Sequence, residues 1–132
     1  MSQAPMIAIV DDDEAVRSSI ANLIRSLGFG ADPFASGEEL LRSHRLDDTC
    51  CVITDMQMPG MTGLELQGLL LAQRHMMPII FITAYPEERT RRHAIAAGAV
   101  GFFSKPFDGA GLIHCIEKAL TEPCRNKSKP SH

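Results

Sequence analysis

The sequence predicts a doubly wound α/β domain, with a parallel sheet of five strands and five helices. Three observations carry that expectation. Short, continuous apolar runs recur along the chain, of the kind that fill strands buried on both faces. Helical periodicities alternate with them, as in a parallel sheet whose strands are joined by crossover helices. Polar and acidic residues gather where the apolar runs end, the edge at which open α/β sheets hold their binding crevice.

The first run, "IAIV" (7–10), stops abruptly at Asp11, Asp12 and Asp13, with Glu14 behind them. Like charges so close repel, and more so where a strand end is shielded from solvent. Something positive is expected there. Val16, Ile20, Leu23, Ile24 and Leu27 then share one helical face, and Gly28 is placed to end the helix. Asp13 and Glu14 fit its first turn, where the helix dipole favours acids. The second strand is "FGADPF" (29–34). Pro33 cannot donate to a ladder, which makes this an edge strand. Ser36 with Glu39, and Thr62 with Glu65, read as capping boxes opening the second and third helices.

Between those helices lies the third strand, "CCVIT" (50–54), and Leu64, Leu69 and Leu70 carry the third helix. "PIIFIT" (78–83) is the fourth strand, and "PEERTRRHAIAAG" (86–98) a fourth helix ending at Gly98. "AVGFF" (99–103) is the fifth strand. Leu112, Ile113, Ile116, Ala119 and Leu120 mark the last helix, with Asp108 as its cap. Residues 1–120 thus read as one domain. The remainder, "TEPCRNKSKPSH" (121–132), is polar and broken by prolines, as a disordered end or the start of a linker would be.

Composition narrows the function. The chain has 132 residues, 45% hydrophobic and 22% charged, enough to bury a real core. Its formal net charge of −3 argues against a nucleic-acid surface on this domain. No apolar stretch approaches the roughly 20 residues of a membrane span, and "MSQAPM" lacks the features of a secretion signal. A cytoplasmic location is the expectation. Cys50, Cys51, Cys115 and Cys124 form no CxxC pair, which points away from a zinc site or disulfide framework and toward reduced thiols.

With strand order 2-1-3-4-5, the polar residues past the strand ends converge. Asp11 and Asp12 follow the first strand, Asp55 the third and Lys105 the fifth, while Thr83 ends the fourth. Three carboxylates and one ammonium suit a hard cation, Mg²⁺ or Mn²⁺, bound through oxygen. A bound ion would also relieve the repulsion among the acids. A carboxylate in such a place can act as a nucleophile toward a phosphoryl group. That transfer needs chiefly positioning and charge neutralisation, which a metal, a lysine and a hydroxyl supply.

The set "VDDD", "TDMQMPGMTG", "ITA" and "SKPF", in this order and spacing, resembles the receiver domain of two-component response regulators. "MPIIFITAY" and "GAVGFFSKPF" are most like the FixJ-type receivers. The resemblance implies the flavodoxin-like receiver fold. It also assigns roles. Asp55 matches the phospho-acceptor, Asp12 the direct metal ligand, and Asp11 the acid that holds a metal-bound water. The backbone carbonyl of Gln57 would complete the protein ligands, with Asp55 itself among them. Lys105 would pair with phosphoryl oxygens, and Thr83 would donate its hydroxyl to them. Phe102 matches the aromatic that turns inward when Thr83 moves, although ordinary core packing explains a phenylalanine there equally well. The Lys105–Pro106 peptide would be cis.

The implied function is a signalling switch. A sensor histidine kinase would phosphorylate Asp55, and the added charge would favour a conformer with Thr83 and Phe102 drawn inward. The surface of the fourth helix, fifth strand and fifth helix would change, and homodimers of the family commonly form there. DNA would be reached only through a separate output domain; the alternative is a stand-alone receiver acting by protein contact. The domain would catalyse only its own phosphorylation and dephosphorylation. An aspartyl-phosphate phosphatase would need a second Asp at position 57, which is Gln. A dinucleotide enzyme would need glycines, not acids, after the first strand. Arg89, Arg91, Arg92 and His93 read as a solvated or dimer-facing helix surface. Gln57 and Tyr85 should flank the path of an attacking water, and the bulk of Tyr85 predicts slow self-dephosphorylation.

Overall fold

Each apolar run becomes a strand, and each helical pattern a helix. The computed structural model describes residues 4–121. In chain order the elements are β1 (Met6–Val10), α1 (Glu14–Ser26), β2 (Gly30–Phe34), α2 (Gly37–Leu41), β3 (Thr49–Asp55), α3 (Gly63–Ala72), β4 (Ile79–Thr83), α4 (Glu88–Ala96), β5 (Gly101–Ser104) and α5 (Gly109–Ala119). A short 3₁₀ turn, Leu46–Asp48, leads into β3 and has no counterpart in the sequence reading. The expected tail lies outside the described residues except for Thr121.

The strands form one parallel sheet in the order β2-β1-β3-β4-β5. β2, with Pro33, is an edge strand, as its missing N–H requires. Alternation along each strand splits the core in two. Ile7, Ile9, Ile53, Ile80 and Ile82 face α1 and α5, where Ile20, Ile24, Leu112 and Ile116 meet them. Ala8, Val10, Val52 and Phe81 face the other way, toward Leu40, Leu66, Leu70 and Ala94 of α2, α3 and α4.

Local chemistry fixes the helix starts. The Asp13 carboxylate accepts from the backbone N–H groups of Ala15 and Val16, and so caps α1. Thr62 and Glu65 form a complete capping box on α3. At α2 the Ser36 hydroxyl accepts from Glu39 as expected, but the Glu39 carboxylate accepts from Ala35, one residue before the cap. Asp108 caps α5. The Lys105–Pro106 peptide is cis.

One expectation fails. Cys50 is disulfide-bonded, whereas Cys51 and Cys115 are free thiols. Cys51 is fully buried, and loss of hydration pushes its thiol up to about 12, so it stays protonated and unreactive.

Candidate functional site

The topology places the polar residues of four strand ends at one edge. β1, β3, β4 and β5 are successive neighbours on one side of the sheet, and all run the same way. Their carboxyl ends therefore stand side by side. Asp55 is the last residue of β3 and Thr83 the last of β4. Asp11 and Asp12 lie just past β1, and Lys105 just past β5. Asp11, Asp55 and Thr83 are buried, while Asp12 is exposed.

The loop after β3 is held by a close approach. The Gly63 N–H donates to the Met56 carbonyl at 3.0 Å. A Cβ at Gly63 would stand 2.5 Å from the backbone carbonyl oxygen of Asp55. Only glycine lets α3 start this near β3, which explains the second glycine of "DMQMPGMTG".

Asp11, Asp12 and Asp55 each offer a carboxylate oxygen, all within 4.8 Å of one another. Two unit charges 4 Å apart interact by about 4 kcal/mol at an effective dielectric of about 20. The positive charge that the acidic run demands is Lys105. Its ammonium lies 3.1 Å from Asp11 Oδ2 and 3.3 Å from Asp55 Oδ2. A further cation supports the loop: the Arg17 guanidinium donates to the Asp11 backbone carbonyl at 2.7 Å. The sequence reading missed Arg17, whose only signal was a cation one turn into the helix behind the acids.

One ammonium does not neutralise three carboxylates. Burial, then the neighbouring Asp11 charge, hold the Asp55 pKa above the ordinary carboxyl value, although Lys105 pulls it down. Burial works against the charge on Lys105, but the hydrogen bond and charge of Asp11, then Asp55, outweigh it and raise its pKa. The ammonium therefore stays charged. The residual negative charge and the hard oxygen donors fit a divalent cation such as Mg²⁺.

Two other side chains meet at this edge. The Thr83 hydroxyl donates to Gln57 Oε1 at 2.6 Å and accepts from the Tyr85 N–H at 3.0 Å. This contact of the Gln57 side chain was not foreseen; the sequence pointed only to its backbone carbonyl and to its neutrality. Tyr85 is 71% exposed. Phe102 is partly buried and packs against the core on the α3 and α4 side, its ring 6.5 Å from that of Phe81 at 51°. On α4, Glu88 pairs with Arg91 and Arg92 at 3.1 Å each. No helix among the described residues is long and apolar enough to cross a membrane.

Comparison with known proteins agrees with this geometry. The response regulator TodT of Pseudomonas putida is 38% identical over 118 residues, which are 89% of this chain and 52% of that protein. The transcriptional regulatory protein FixJ of Bradyrhizobium diazoefficiens is 34% identical over 116 residues, 88% of this chain and 57% of that protein. The chain thus spans about half the length of these curated relatives. Among solved structures, the response regulator StyR superposes with a TM-score of 0.81 at 41% identity, covering 89% of this chain and 59% of that one. A structure titled FixJ-N superposes with a TM-score of 0.79 at 34% identity, covering 89% of this chain and 94% of that one. The family model of the response regulator receiver domain matches residues 7–117. With the flavodoxin-like sheet order and the clustered strand-end residues, that match settles membership: this chain belongs to the response regulator receiver domains, the signalling switches of two-component systems.

Proposed function

We propose that this receiver is switched by phosphorylation of Asp55, with a sensor histidine kinase as donor. The observation that carries the reading is the Lys105 ammonium lodged between Asp11 and Asp55, one strand away from the Thr83 hydroxyl. A buried carboxylate with a fixed ammonium and a nearby hydroxyl is placed to receive a phosphoryl group. The P–O bond to Asp55 forms as the donor's P–N bond breaks, and the donor imidazole leaves. Lys105 orients the phosphoryl oxygens and balances their charge. Asp12, Asp55 and the Gln57 carbonyl would hold Mg²⁺ or Mn²⁺ directly, with Asp11 acting through a water. That ion would supply the positive charge that three carboxylates lack.

The new group carries negative charge and strong acceptors. Thr83 turns its hydroxyl toward them, Phe102 follows inward, and the α4-β5-α5 surface changes. A homodimer through that surface, or a partner protein, reads the change. FixJ is named a transcriptional regulator, and an output of that kind on a longer chain is the reading we favour over a stand-alone receiver. No external product is turned over, so the domain is a switch and not an enzyme.

The test is intact-mass spectrometry after incubation with acetyl phosphate and Mg²⁺, beside Asp55→Asn. One added phosphoryl group on the wild type alone, lost when a chelator removes the metal, is the expected result. An unmodified wild type would leave an inert acidic pocket and make protein contact the working function.

A further inference from the structure

The Thr83 hydroxyl has one proton to give, and in this structure it gives it to Gln57. The bond is short, at 2.6 Å, and joins residues 26 positions apart, across the loop after β3 and the end of β4. The same hydroxyl accepts from the Tyr85 N–H, so its orientation is set from both sides. Thr83 itself is 0% exposed. Water does not compete freely for its proton, whereas Gln57 is exposed and regains water at once when released.

We infer that Gln57 is a positioning residue that tethers Thr83 in the resting conformer and so sets the threshold of the switch. The inference deepens the proposed function, in which Thr83 must donate to a phosphoryl oxygen on Asp55. That donation and the bond to Gln57 use the same proton and exclude each other. The phosphoryl group therefore competes with the Gln57 amide before Thr83 moves and before Phe102 can follow. Charge decides the contest in principle, since a phosphoryl oxygen is a stronger acceptor than a neutral amide. The tether raises the threshold without forming a lock: a neutral hydrogen bond facing water shifts a two-state equilibrium on the order of 3- to 10-fold. Gln57 acts through its side chain, separately from any role of its backbone carbonyl.

Gln57→Met keeps the length and bulk of the side chain and removes the acceptor; Gln57→Ala removes both. The first readout is the Thr83 χ1 rotamer, from three-bond NMR couplings in the unphosphorylated, chelator-treated chain. The wild type should show one rotamer, and both variants should show averaging. The second readout is the rate of phosphorylation by acetyl phosphate with Mg²⁺, which should rise roughly 3- to 10-fold in both variants. A single, unchanged Thr83 rotamer in Gln57→Met overturns the tether. So does a rate that rises in Gln57→Ala but not in Gln57→Met, because space and not the hydrogen bond would then be responsible. A wild type that takes no phosphoryl group overturns the functional reading alone, since the rotamer measurement needs no phosphodonor.

Discussion

The two faces of the sheet are built from different materials. The face against α1 and α5 is almost all isoleucine: Ile7, Ile9, Ile20, Ile24, Ile53, Ile80, Ile82 and Ile116. The face against α2, α3 and α4 holds Met56, Met58 and Met77, with Met61 and Phe102 packed at its margin, and only Ile79 among isoleucines. Branched side chains are stiff at χ1 and interlock on a pleated surface. Methionine has three rotatable bonds and fills irregular space. Phe102, which would move with Thr83 in the proposed switch, packs against the adaptable face. The difference teaches that this domain keeps one face rigid as an anchor and leaves the other able to repack.

The largest expected effect tests the rigid face. Ile24 is fully buried near the end of α1, whereas Asp11 and Asp12 lie before its start. Ile24→Ala should lower stability by about 3 kcal/mol, and the melting temperature by roughly 10 °C or more. Phosphoryl acceptance at 20 °C should nevertheless stay within about twofold of wild type, because the anchor sets stability and not switching. A switching defect as large as the stability defect would break the division between the faces.

Next comes a pair of glycines on the adaptable face. At Gly37 an added Cβ would meet the Met61 sulfur at 2.8 Å, the end of a movable side chain. At Gly63 it would meet the Asp55 carbonyl at 2.5 Å and the Met56 Cα at 3.0 Å, which are backbone. Gly63→Ala should therefore cost about 2 kcal/mol in a urea melt, and Gly37→Ala well under about 1 kcal/mol. Equal costs would show that the adaptability does not lie in the methionines.

The smallest effect has the opposite sign. The raised Asp55 pKa means that folding favours its protonated form. The folded chain then binds more protons than the unfolded chain between the two pKa values, so stability falls as pH rises through that interval. Asp55→Asn has no such loss. In metal-free buffer at pH 7 it should be about 1 kcal/mol more stable, with a melting temperature roughly 3–6 °C higher. The gain should vanish below the ordinary carboxyl pKa, where Asp55 is neutral in both states. A gain that persists in acid would assign it to packing instead.

Much of this was legible in the sequence, for identifiable reasons. Continuous runs such as "IAIV" and "PIIFIT" suited strands buried on both faces, and Pro33 named an edge. Capping signals are local, so Thr62 with Glu65 and Asp108 were found where they act. Asp11, Asp12, Asp55, Thr83 and Lys105 were brought together by topology alone, because parallel strands present all their carboxyl ends at one edge. What stayed hidden depends on where flexible side chains reach. The Gln57 amide could point to water or to Thr83, and only the packed loop decides. Arg17 could equally have faced solvent.

The salt bridge from Lys105 to Asp11 spans 94 residues of chain. Asp11, Asp12 and Asp55 precede Lys105 in the chain, so these acids lack its ammonium until β5 has docked beside β4. The last cation to arrive therefore completes the site and relieves its internal repulsion in one event. A chain without that strand lacks the ammonium that pairs with Asp11 and Asp55. On the proposed function, competence to accept a phosphoryl group is thereby tied to completion of the sheet.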